Sequence, residues 1–477
     1  MELMPLSRCS PRCLGKVLID GSERMLMQRC SGSWTARWAL SAVACAALLG
    51  CVEPSATRTS GRHVVLIVID TLRADFVGIS GRAPFDATPR IDELARRGRW
   101  FDNAWSSAPW TPPSILSLMT SLDPPVHGLD SAADRLASRV PVFPPGAATM
   151  AEVFRTAGYR TLAVTAGGGV GSVYGFDRGF ERWYEPRDRP TSDVEAGVDR
   201  ALAWLAEPDP RPTFLFFHTY EVHLPNTHPP FPSPDDPQAR ARAAYAGDLA
   251  VADRHLGRLF DGLDASGVLD EAVIIVTADH GENLHDRVLG GRSVDHGHHL
   301  HAELLRVPLI WVAPGLIPAE GRVAEPVLLL DVLPTVCSLV GIDLADAPIQ
   351  GRDLLPLLQG WGPPGPPRPF FAFAPMQGPT WGAVRTAEWT LLESPKIETE
   401  QWWGEVELPS RSLYDRDADP AERDDLASSH QVDFAELEAL LADRRRDDLE
   451  LRRALGGDGE IPADSLDALR ALGYVDR

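Results

Sequence analysis

The stretch VIIVTADHGEN at 273–283 is a β-branched apolar run that ends on an acid and a histidine, Asp279 and His280. A strand buried on both faces of a parallel sheet reads as such a continuous apolar run. Aspartate and histidine are common metal ligands. The stretch therefore predicts a central strand with metal-binding side chains at its carboxyl end.

A second stretch, HVVLIVID at 63–70, has the same form and ends on Asp70. In open α/β sheets, ligands bind beyond the carboxyl ends of the strands. If the two strands are neighbours, Asp70, Asp279 and His280 converge on one crevice and form a candidate site for a divalent metal ion. The structural alternative is that each acid is only a helix N-cap or a turn residue.

Between these stretches lies PWTPPSILSLMTSLDPPVHG at 109–128, in which Thr111 precedes two prolines and an apolar helical pattern. Proline is tolerated in the first turn of a helix, so Thr111 or its neighbour should lie at a helix N-terminus. Free backbone N–H groups and the helix dipole favour anionic groups such as sulfate or phosphate there. The alternative is a plain threonine N-cap.

Strand-like and helix-like stretches alternate along the chain, which predicts an α/β fold with a doubly wound, mostly parallel sheet. These stretches are 64–69, 89–98, 113–120, 149–157, 160–165, 193–206, 213–218, 240–264, 272–277, 308–312 and 331–340.

The predicted domains are a leader at 1–51, a linker at 52–62, a catalytic domain at 63–360, a smaller α+β subdomain at 368–430 and a helical tail at 431–477. In the subdomain FFAFA, WGAVRT and WTLLES predict a short antiparallel sheet, and 433–455 predicts a peripheral helix. The long loops 166–192 and 222–239 are candidates for substrate specificity, and the first is expected to border the site.

The order of these motifs, with TPRIDELARRG at 88–98 and LLRVPLIWVAPG at 304–315, resembles the sulfatase family of the alkaline phosphatase superfamily. The DTLRAD sequence at 70–75 is similar to one branch of that family. Further counterparts are GYRTLAV at 158–164, YAGDLAVADRHLGRL at 245–259, LLDVLPTVCSLVGI at 329–342, LYDRDADPAERDDLA at 413–427 and LRALGYVD at 469–476.

The resemblance implies a role for each matching position. Asp70, Asp279 and His280 look like metal ligands, and Thr111 falls where the family has its metal-bound nucleophile. His223 sits where the family places a substrate-contacting histidine, so it is a candidate catalytic residue. The mixed oxygen and nitrogen ligands favour manganese, zinc or magnesium over calcium.

The departures from the family are informative. Sulfatases carry a Cys/Ser-x-Pro-x-Arg motif whose first residue becomes formylglycine, whereas Thr111 stands here and cannot yield that aldehyde. Ile115 replaces the motif's arginine, Thr71 replaces a second acid, and Lys396 is the only lysine beyond residue 50. Threonine can still act as a nucleophile, because a metal ion lowers the pKa of a bound hydroxyl. Related threonine enzymes act on phosphate or phosphonate esters.

Histidines are candidates for the role of the missing lysines, since ten of the thirteen lie between positions 218 and 301. His296 and His298 surround the family's catalytic lysine position and are predicted proton donors, although a His-rich tract can also bind metal on a surface loop. Arg73 and His127 are candidate substrate contacts. The structural alternative for Arg73 is a solvated arginine in the first turn of a helix, and that for His127 is a histidine in a turn.

The N-terminal region predicts export. Arg29 and Arg37 precede an apolar stretch at 39–50, and Leu48-Leu49-Gly50-Cys51 resembles a bacterial lipobox in which the cysteine is lipidated. We expect a lipid-anchored enzyme of the bacterial cell envelope, with a start codon at Met25 or Met27. The alternative is a membrane-spanning anchor, but the stretch is shorter than the roughly 20 residues that span a bilayer.

The formal charge of −21 argues against nucleic acid as a partner. After lipidation of Cys51 only Cys337 would remain, so the mature chain cannot form an internal disulfide. We expect a metal-dependent hydrolase of anionic sulfate, phosphate or phosphonate esters. The alternatives are a transferase of phospho-alcohol head groups and a non-catalytic binding protein on a sulfatase scaffold. The oligomeric state is not predicted.

Overall fold

The computed structural model describes most of the chain after the predicted linker. The described residues are 61–129, 144, 146–186, 194–228, 231–232, 234–289, 292–344, 347–362, 365–373, 382–393 and 411–456. The predicted leader with Cys51, nearly all of the linker, Lys396 and the terminal 457–477 lie outside them.

A nine-stranded sheet forms the centre of the molecule. Its strands are β1 (His63–Ile69), β2 (Arg99–Trp105), β3 (Arg160–Val164), β4 (Arg182–Tyr184), β5 (Thr213–Thr219), β6 (Ala272–Thr277), β9 (Arg306–Val312), β10 (Gly321–Val323) and β11 (Val327–Leu328). The separate hairpin of β7 (Asn283–Leu289) and β8 (Arg292–Asp295) follows β6. The order is β10-β2-β9-β6-β1-β5-β3-β4, and β11 also pairs with β2.

The two strands that the sequence identified are neighbours. β1 pairs in parallel with β6, with Val68 opposite Thr277, and also with β5, with Val68 opposite His218. All three strands are buried on both faces, apart from the first residue of β1, as expected for central strands. The predicted condition for a shared crevice is therefore met.

Most strand pairs are parallel, and β9 is antiparallel to both of its neighbours, β6 and β2. The predicted doubly wound, mostly parallel sheet is confirmed. Strand β2 was not predicted, because Arg99, Asp102 and Asn103 interrupt its apolar pattern.

Ten α-helices accompany the strands in the described part of the chain. They are α1 (Pro89–Ala95), α2 (Thr111–Thr120), α3 (Pro124–His127), α4 (Met150–Thr156), α5 (Val194–Leu205), α6 (Pro237–Ala265), α7 (Ala302–Leu305), α8 (Val332–Val340), α9 (Leu355–Gln359) and α10 (Gln431–Ala454). Helix α6 packs on α1 and α5, and α2 packs on α3. Every residue of α2 is buried, so the helix that begins at Thr111 is held inside the molecule.

A smaller four-stranded antiparallel sheet follows, formed by β12 (Phe370–Phe373), β13 (Gly382–Arg385), β14 (Trp389–Glu393) and β15 (Arg411–Asp415). The three predicted strands are present, and β15 is an addition. Helix α10 packs on β13, β14 and α3. The sheet belongs to the same compact unit as the large sheet, which fits a subdomain. Among the described residues, no helix combines the length and apolarity that crossing a membrane requires.

Candidate active site

The carboxyl ends of β1 and β6 bring two acids together. Asp70 directly follows β1 and Asp279 lies two residues beyond the end of β6, and both side chains are fully buried. The backbone N–H groups of Thr71 and His280 donate to Oδ1 of Asp279 at 3.2 and 2.9 Å. These bonds fix the Asp279 carboxylate against the end of β1.

Thr111 is the first residue of α2, and two prolines follow it. Its hydroxyl donates to Oδ2 of Asp70 at 2.9 Å and lies 3.3 Å from Nε2 of His280. Ser114, one turn further, donates from its hydroxyl to the carbonyl of Asp279 at 2.5 Å. The start of α2 is thereby fixed to the loop after β6, with the threonine hydroxyl directed at the acids.

The arrangement fits a divalent cation. Asp70, Asp279 and His280 each offer a ligand atom, and these atoms lie within 4.8 Å of one another. Oδ1 of Asp70 and Oδ2 of Asp279 are buried without a hydrogen-bond partner. Buried carboxylate oxygens without a partner are costly unless a proton or a metal ion compensates their charge.

The protonation of the cluster supports the same interpretation. Burial and the nearby Asp70 carboxylate raise the pKa of Asp279 well above its usual range. Burial would also raise the pKa of Asp70, but His218, His280 and His223 keep it below the usual range. Two carboxylates this close are stable in the ionised form only with a nearby positive charge.

His280 is arranged as a nitrogen ligand. Burial lowers its pKa to about 3, so the ring is neutral, and Nδ1 lies 2.8 Å from the carbonyl of Gly281. An N–H at Nδ1 must donate to that carbonyl, which leaves the lone pair of Nε2 on the side of Thr111 and Asp70. Such a second hydrogen bond fixes the tautomer of a metal-ligating histidine.

His218 also belongs to the site, although we did not predict it. Its Nε2 lies 3.5 Å from Oδ2 of Asp70, and its side chain is fully buried. The signal in the sequence is a single histidine within the apolar run FLFFHT of β5, the same kind of interruption that identified Asp70.

Thr71 stands where the resemblance to sulfatases implies a second acid. Its hydroxyl is buried without a hydrogen-bond partner, and its φ of 59° is unfavourable for a β-branched residue. The backbone that follows Thr71 is held by Tyr245, whose hydroxyl donates to the carbonyl of Thr71 at 2.8 Å and accepts from Arg73 N–H at 2.9 Å. Strain of this kind persists where the surroundings impose it, often at functional sites.

Two of the predicted histidines border the acids. The ring of His296 lies 4.6 Å from that of His280 and 4.9 Å from that of His223, measured between centroids. Burial would lower the pKa of His296, but the nearby Glu282 raises it to about 9. The raised pKa favours the protonated ring of His296 beside the buried acids.

His298 lies behind His296. Its Nδ1 is 3.0 Å from the carbonyl of His296, and its ring contacts that of His299 at 4.9 Å. Burial lowers the pKa of His298, which favours the neutral ring. Its predicted role as a proton donor remains a prediction.

Arg73 and His127 both form ion pairs or hydrogen bonds with other residues of the protein. The guanidinium of Arg73 pairs with Asp75 and Asp286 and donates to the carbonyl of Glu282 at 2.9 Å. The ring of His127 lies 3.1 Å from both Ser117 Oγ and the carbonyl of Pro113, and burial lowers its pKa to about 3.

Arg73 thus holds the loop after β6, and His127 clamps the first turn of α2. For His127 these contacts match the structural alternative given above, whereas Arg73 is buried and paired and is therefore not a solvated arginine. Their direct contact with a substrate remains a prediction.

A glycine-rich turn covers Thr111. Gly169 donates from its N–H to the hydroxyl of Tyr220 at 2.8 Å. A Cβ at Gly169 would lie 2.9 Å from that hydroxyl and 3.3 Å from the Cβ of Thr111. The described beginning of the 166–192 loop thus borders the site, as the sequence predicted.

Comparison with known proteins agrees with this geometry. The sequence profile of the Sulfatase family matches residues 62–342, so the chain belongs to the sulfatase family. It is 28% identical to the multifunctional alkaline phosphatase superfamily protein PehA of Trinickia caryophylli, covering 62% of this chain and 77% of that protein. It is 27% identical to human arylsulfatase A, covering 63% and 68% respectively.

Among solved structures, the phosphonate monoester hydrolase of Agrobacterium radiobacter superposes with a TM-score of 0.63 at 19% identity, covering 83% of this chain and 96% of that one. This likeness shows a shared fold. Family membership and fold together identify the chain as an ester hydrolase. The family is generally metal-dependent, and the Asp70, Asp279 and His280 cluster is the corresponding candidate metal site.

Proposed function

We propose that the protein is a metal-dependent hydrolase of sulfate, phosphate or phosphonate esters in which Thr111 is the nucleophile. The observation that carries the proposal is the position of the Thr111 hydroxyl, 2.9 Å from Asp70 and 3.3 Å from His280 at the buried start of a helix. The names of the relatives, an arylsulfatase and a phosphonate monoester hydrolase, support the sulfate and phosphonate esters in this range.

The residues of the site suggest how each takes part. Asp70, Asp279 and His280 would hold the ion, which would supply positive charge for the ester oxygens and lower the pKa of a bound hydroxyl. Oδ2 of Asp70 accepts the hydrogen bond of Thr111 and is placed to receive its proton. The positive end of the α2 dipole would lie beside the transferred group, although Pro112 and Pro113 have no N–H to donate.

The charge of the site favours a transferred group with a single negative charge. Neither Ile115 nor Arg73 offers the free guanidinium that would balance a phosphate dianion, and the raised pKa of His296 favours one positive charge beside the acids. We therefore expect sulfate monoesters, phosphonate monoesters and phosphodiesters to be better substrates than phosphate monoesters.

The test is hydrolysis of four nitrophenyl esters by the purified mature chain after metal removal and reloading with manganese, zinc, magnesium or calcium. The esters are the sulfate, the phosphonate, the phosphodiester and the phosphate monoester. We expect metal-dependent turnover that falls by at least about 10³-fold in Thr111→Ala.

Thr120→Ala is the matched control, because it also removes a threonine hydroxyl from this buried helix. The hydroxyl of Thr120 donates to the carbonyl of Leu116, away from the acids. This variant should retain activity. Stoichiometric metal binding without turnover of any ester would contradict the proposal and favour a transferase or a binding protein.

We also propose that the mature enzyme is held in the bacterial cell envelope by a lipid on Cys51. The support is the lipobox-like Leu48-Leu49-Gly50-Cys51 after an apolar stretch. An anchored enzyme would meet its anionic esters outside the cytoplasm.

A further inference from the structure

A buried ion pair lies in the small antiparallel sheet, outside the group of acids and histidines described above. Arg385, the last residue of β13, is 1% exposed, and Glu422, in the loop after β15, is 3% exposed. The guanidinium donates to Oε1 of Glu422 from Nε at 3.2 Å and from Nη2 at 2.9 Å. It also lies 4.9 Å from the centre of the Trp105 ring. Arg385 is therefore held by the interior of the protein on every side that these contacts cover.

Both members of the pair also bind the backbone at the start of α7. Nη2 of Arg385 donates to the carbonyl of Leu300 at 2.6 Å, and Oε2 of Glu422 accepts from the N–H of Ala302 at 2.9 Å. His301, which precedes α7, forms no side-chain cap for this helix. Glu422 thus provides an acceptor for a first-turn N–H that has no partner within the helix.

The last residues of α7 support the loop that carries Asp279 and His280. The N–H of Gly281 donates to the carbonyl of Leu304 at 2.8 Å, and the carbonyl of Gly281 lies 2.8 Å from Nδ1 of His280. A Cβ at Gly281 would lie 2.1 Å from the carbonyl oxygen of Glu303, so the close approach of loop and helix requires a glycine. Any shift of α7 would therefore reach the ring of His280 through Gly281.

A second connection joins the same two regions. Arg287 of β7 pairs with Glu303 of α7 at 2.6 Å and donates to the carbonyl of Ala421, the neighbour of Glu422. Glu422 has a φ of 54°, which is unfavourable for a residue with a Cβ. Backbone strain of this kind persists where the surrounding contacts impose it. Here those contacts are the bonds to Arg385 and to α7.

Stability alone does not explain why two charges are buried here. The desolvation of a buried ion pair can cancel its attraction, and hydrophobic residues of similar volume are often equally stable. Hydrophobic side chains could not, however, bind the carbonyl of Leu300 and the N–H of Ala302. The pair therefore fixes α7 in one position relative to the small sheet.

We propose that Arg385 and Glu422 are positioning residues for the metal site, which act through α7 and Gly281 on the ring of His280. This inference rests on the proposed metal-dependent function. The small sheet is then a part of the framework that holds a metal ligand. Residues that support metal ligands in this way commonly change metal affinity by about 10- to 100-fold when they are replaced.

The test is metal binding by the purified mature chain, stripped of metal and titrated with manganese, zinc, magnesium and calcium in turn by isothermal titration calorimetry. The main variant combines Arg385→Met with Glu422→Leu, which leaves no unpaired buried charge. We expect its metal-free Tm to stay within a few degrees of the wild type. Its Kd for the ion that the wild type binds most tightly should rise by about 10- to 100-fold.

A matched control separates this effect from the loss of any ion pair. Arg160→Met combined with Glu207→Leu removes a 2.9 Å pair at the amino end of β3, away from the site. Its Kd should equal that of the wild type. An equal rise of Kd in this control would show a general effect of destabilisation and would overturn the inference.

The conservative variant Glu422→Gln tests the inference if the double variant does not fold. Glutamine keeps one acceptor oxygen for Arg385 or Ala302, so we expect a smaller rise of Kd, by about threefold to tenfold. A Kd equal to that of the wild type in a folded double variant would overturn the inference. If the double variant does not fold, the same result in Glu422→Gln would overturn it.

A second readout requires no metal ion. Hydrogen–deuterium exchange of the metal-free proteins, followed by mass spectrometry, reports on the N–H of Gly281 that bonds to Leu304. Peptides that contain Gly281 should exchange faster in the double variant, or in Glu422→Gln in its place, while peptides from β1 should not change. Unchanged exchange at Gly281 would overturn the inference. If the wild type binds none of the four ions, the proposed function fails, while the exchange still decides whether the pair positions this loop.

Discussion

The hydroxyl of Thr111 donates a 2.9 Å hydrogen bond to Oδ2 of Asp70, although the two residues are 41 positions apart. The bond connects the end of a central strand to the start of a buried helix. Neither element can shift without moving the other, since Ser114 also bonds to the loop after β6. The candidate nucleophile and the candidate metal ligands therefore form one rigid group, which is the preorganisation that catalysis requires.

Metal binding should stabilise the fold. Because Asp70 and Asp279 are buried and their free oxygens have no hydrogen-bond partner, an ion at a hundredfold excess over its Kd should add about 2.7 kcal/mol. Chelation should lower the Tm by a few degrees, and readdition of metal should restore it. Differential scanning calorimetry measures both changes.

Asp279→Asn should abolish the response of the Tm to metal. Asp253→Asn is its control, because Asp253 is also buried but accepts from the backbone N–H groups of Arg90 and Ile91, outside the site. A metal-induced Tm shift that persists in Asp279→Asn would show that the ion binds elsewhere.

Gly169→Ala should impair catalysis without unfolding the protein. The new Cβ would lie 2.9 Å from the hydroxyl of Tyr220 and 3.3 Å from the Cβ of Thr111, which is too close unless the turn moves. We expect kcat/KM to fall by about tenfold to 10²-fold, since small displacements beside a nucleophile are costly. Steady-state kinetics with the best nitrophenyl ester gives the value.

Removing the Tyr220 hydroxyl should relieve this clash in part, so Gly169→Ala combined with Tyr220→Phe should be more active than Gly169→Ala alone. Gly365→Ala is the matched control, because a Cβ there meets only Arg352 at 3.8 Å. Additive losses in the double variant would argue against a steric cause.

The strands and helices that position the site could be predicted because their patterns are local. Apolar runs ending on Asp70 and on Asp279 identified β1 and β6, and the prolines after Thr111 identified the start of α2. The direction of β9 could not be predicted. Its residues VPLIWV are buried on both faces, and a continuous apolar pattern of this kind does not distinguish a parallel strand from an antiparallel one.

The rest of the site depends on pairing between distant segments. Glu282 and His296 meet only through the register of the β7–β8 hairpin, and the sequence between them does not specify that register. His218 reaches Asp70 only because β5 is the other neighbour of β1. The engagement of Arg73 by Asp75 and Asp286 is likewise visible only in three dimensions.

Lipidation at Cys51 should decide where the enzyme resides. In a bacterial host that processes lipoproteins, the wild type should sediment with membranes and incorporate labelled palmitate. Cys51→Ser should do neither. Cys45→Ser is the matched control, because that cysteine lies in the segment expected to be removed, and it should behave as the wild type. Membrane association of Cys51→Ser without palmitate would instead support a spanning anchor.

The docking of α10 should depend on pH through Asp448. This carboxyl is buried, its pKa is raised to about 7 by burial and by the nearby Asp123, and it bonds to Arg444 and Gln350. The pKa of Asp448 in the folded state lies above the unfolded value of 3.8. At a pH between these two pKa values, Asp448 is therefore protonated in the folded state and ionised in the unfolded state. The free energy of unfolding contributed by this group is therefore largest at low pH and falls as the pH rises towards 7.

Asp448→Asn cannot lose a proton, so the Tm of this variant should fall less between pH 5 and pH 8 than that of the wild type, by a few degrees. Thermal melts followed by circular dichroism at both pH values make the comparison. Asp447→Asn is the matched control, since Asp447 is the exposed neighbour on the same helix, and its pH response should match the wild type. An identical pH response in Asp448→Asn would mean that Asp448 remains ionised, held by Arg444 throughout this range.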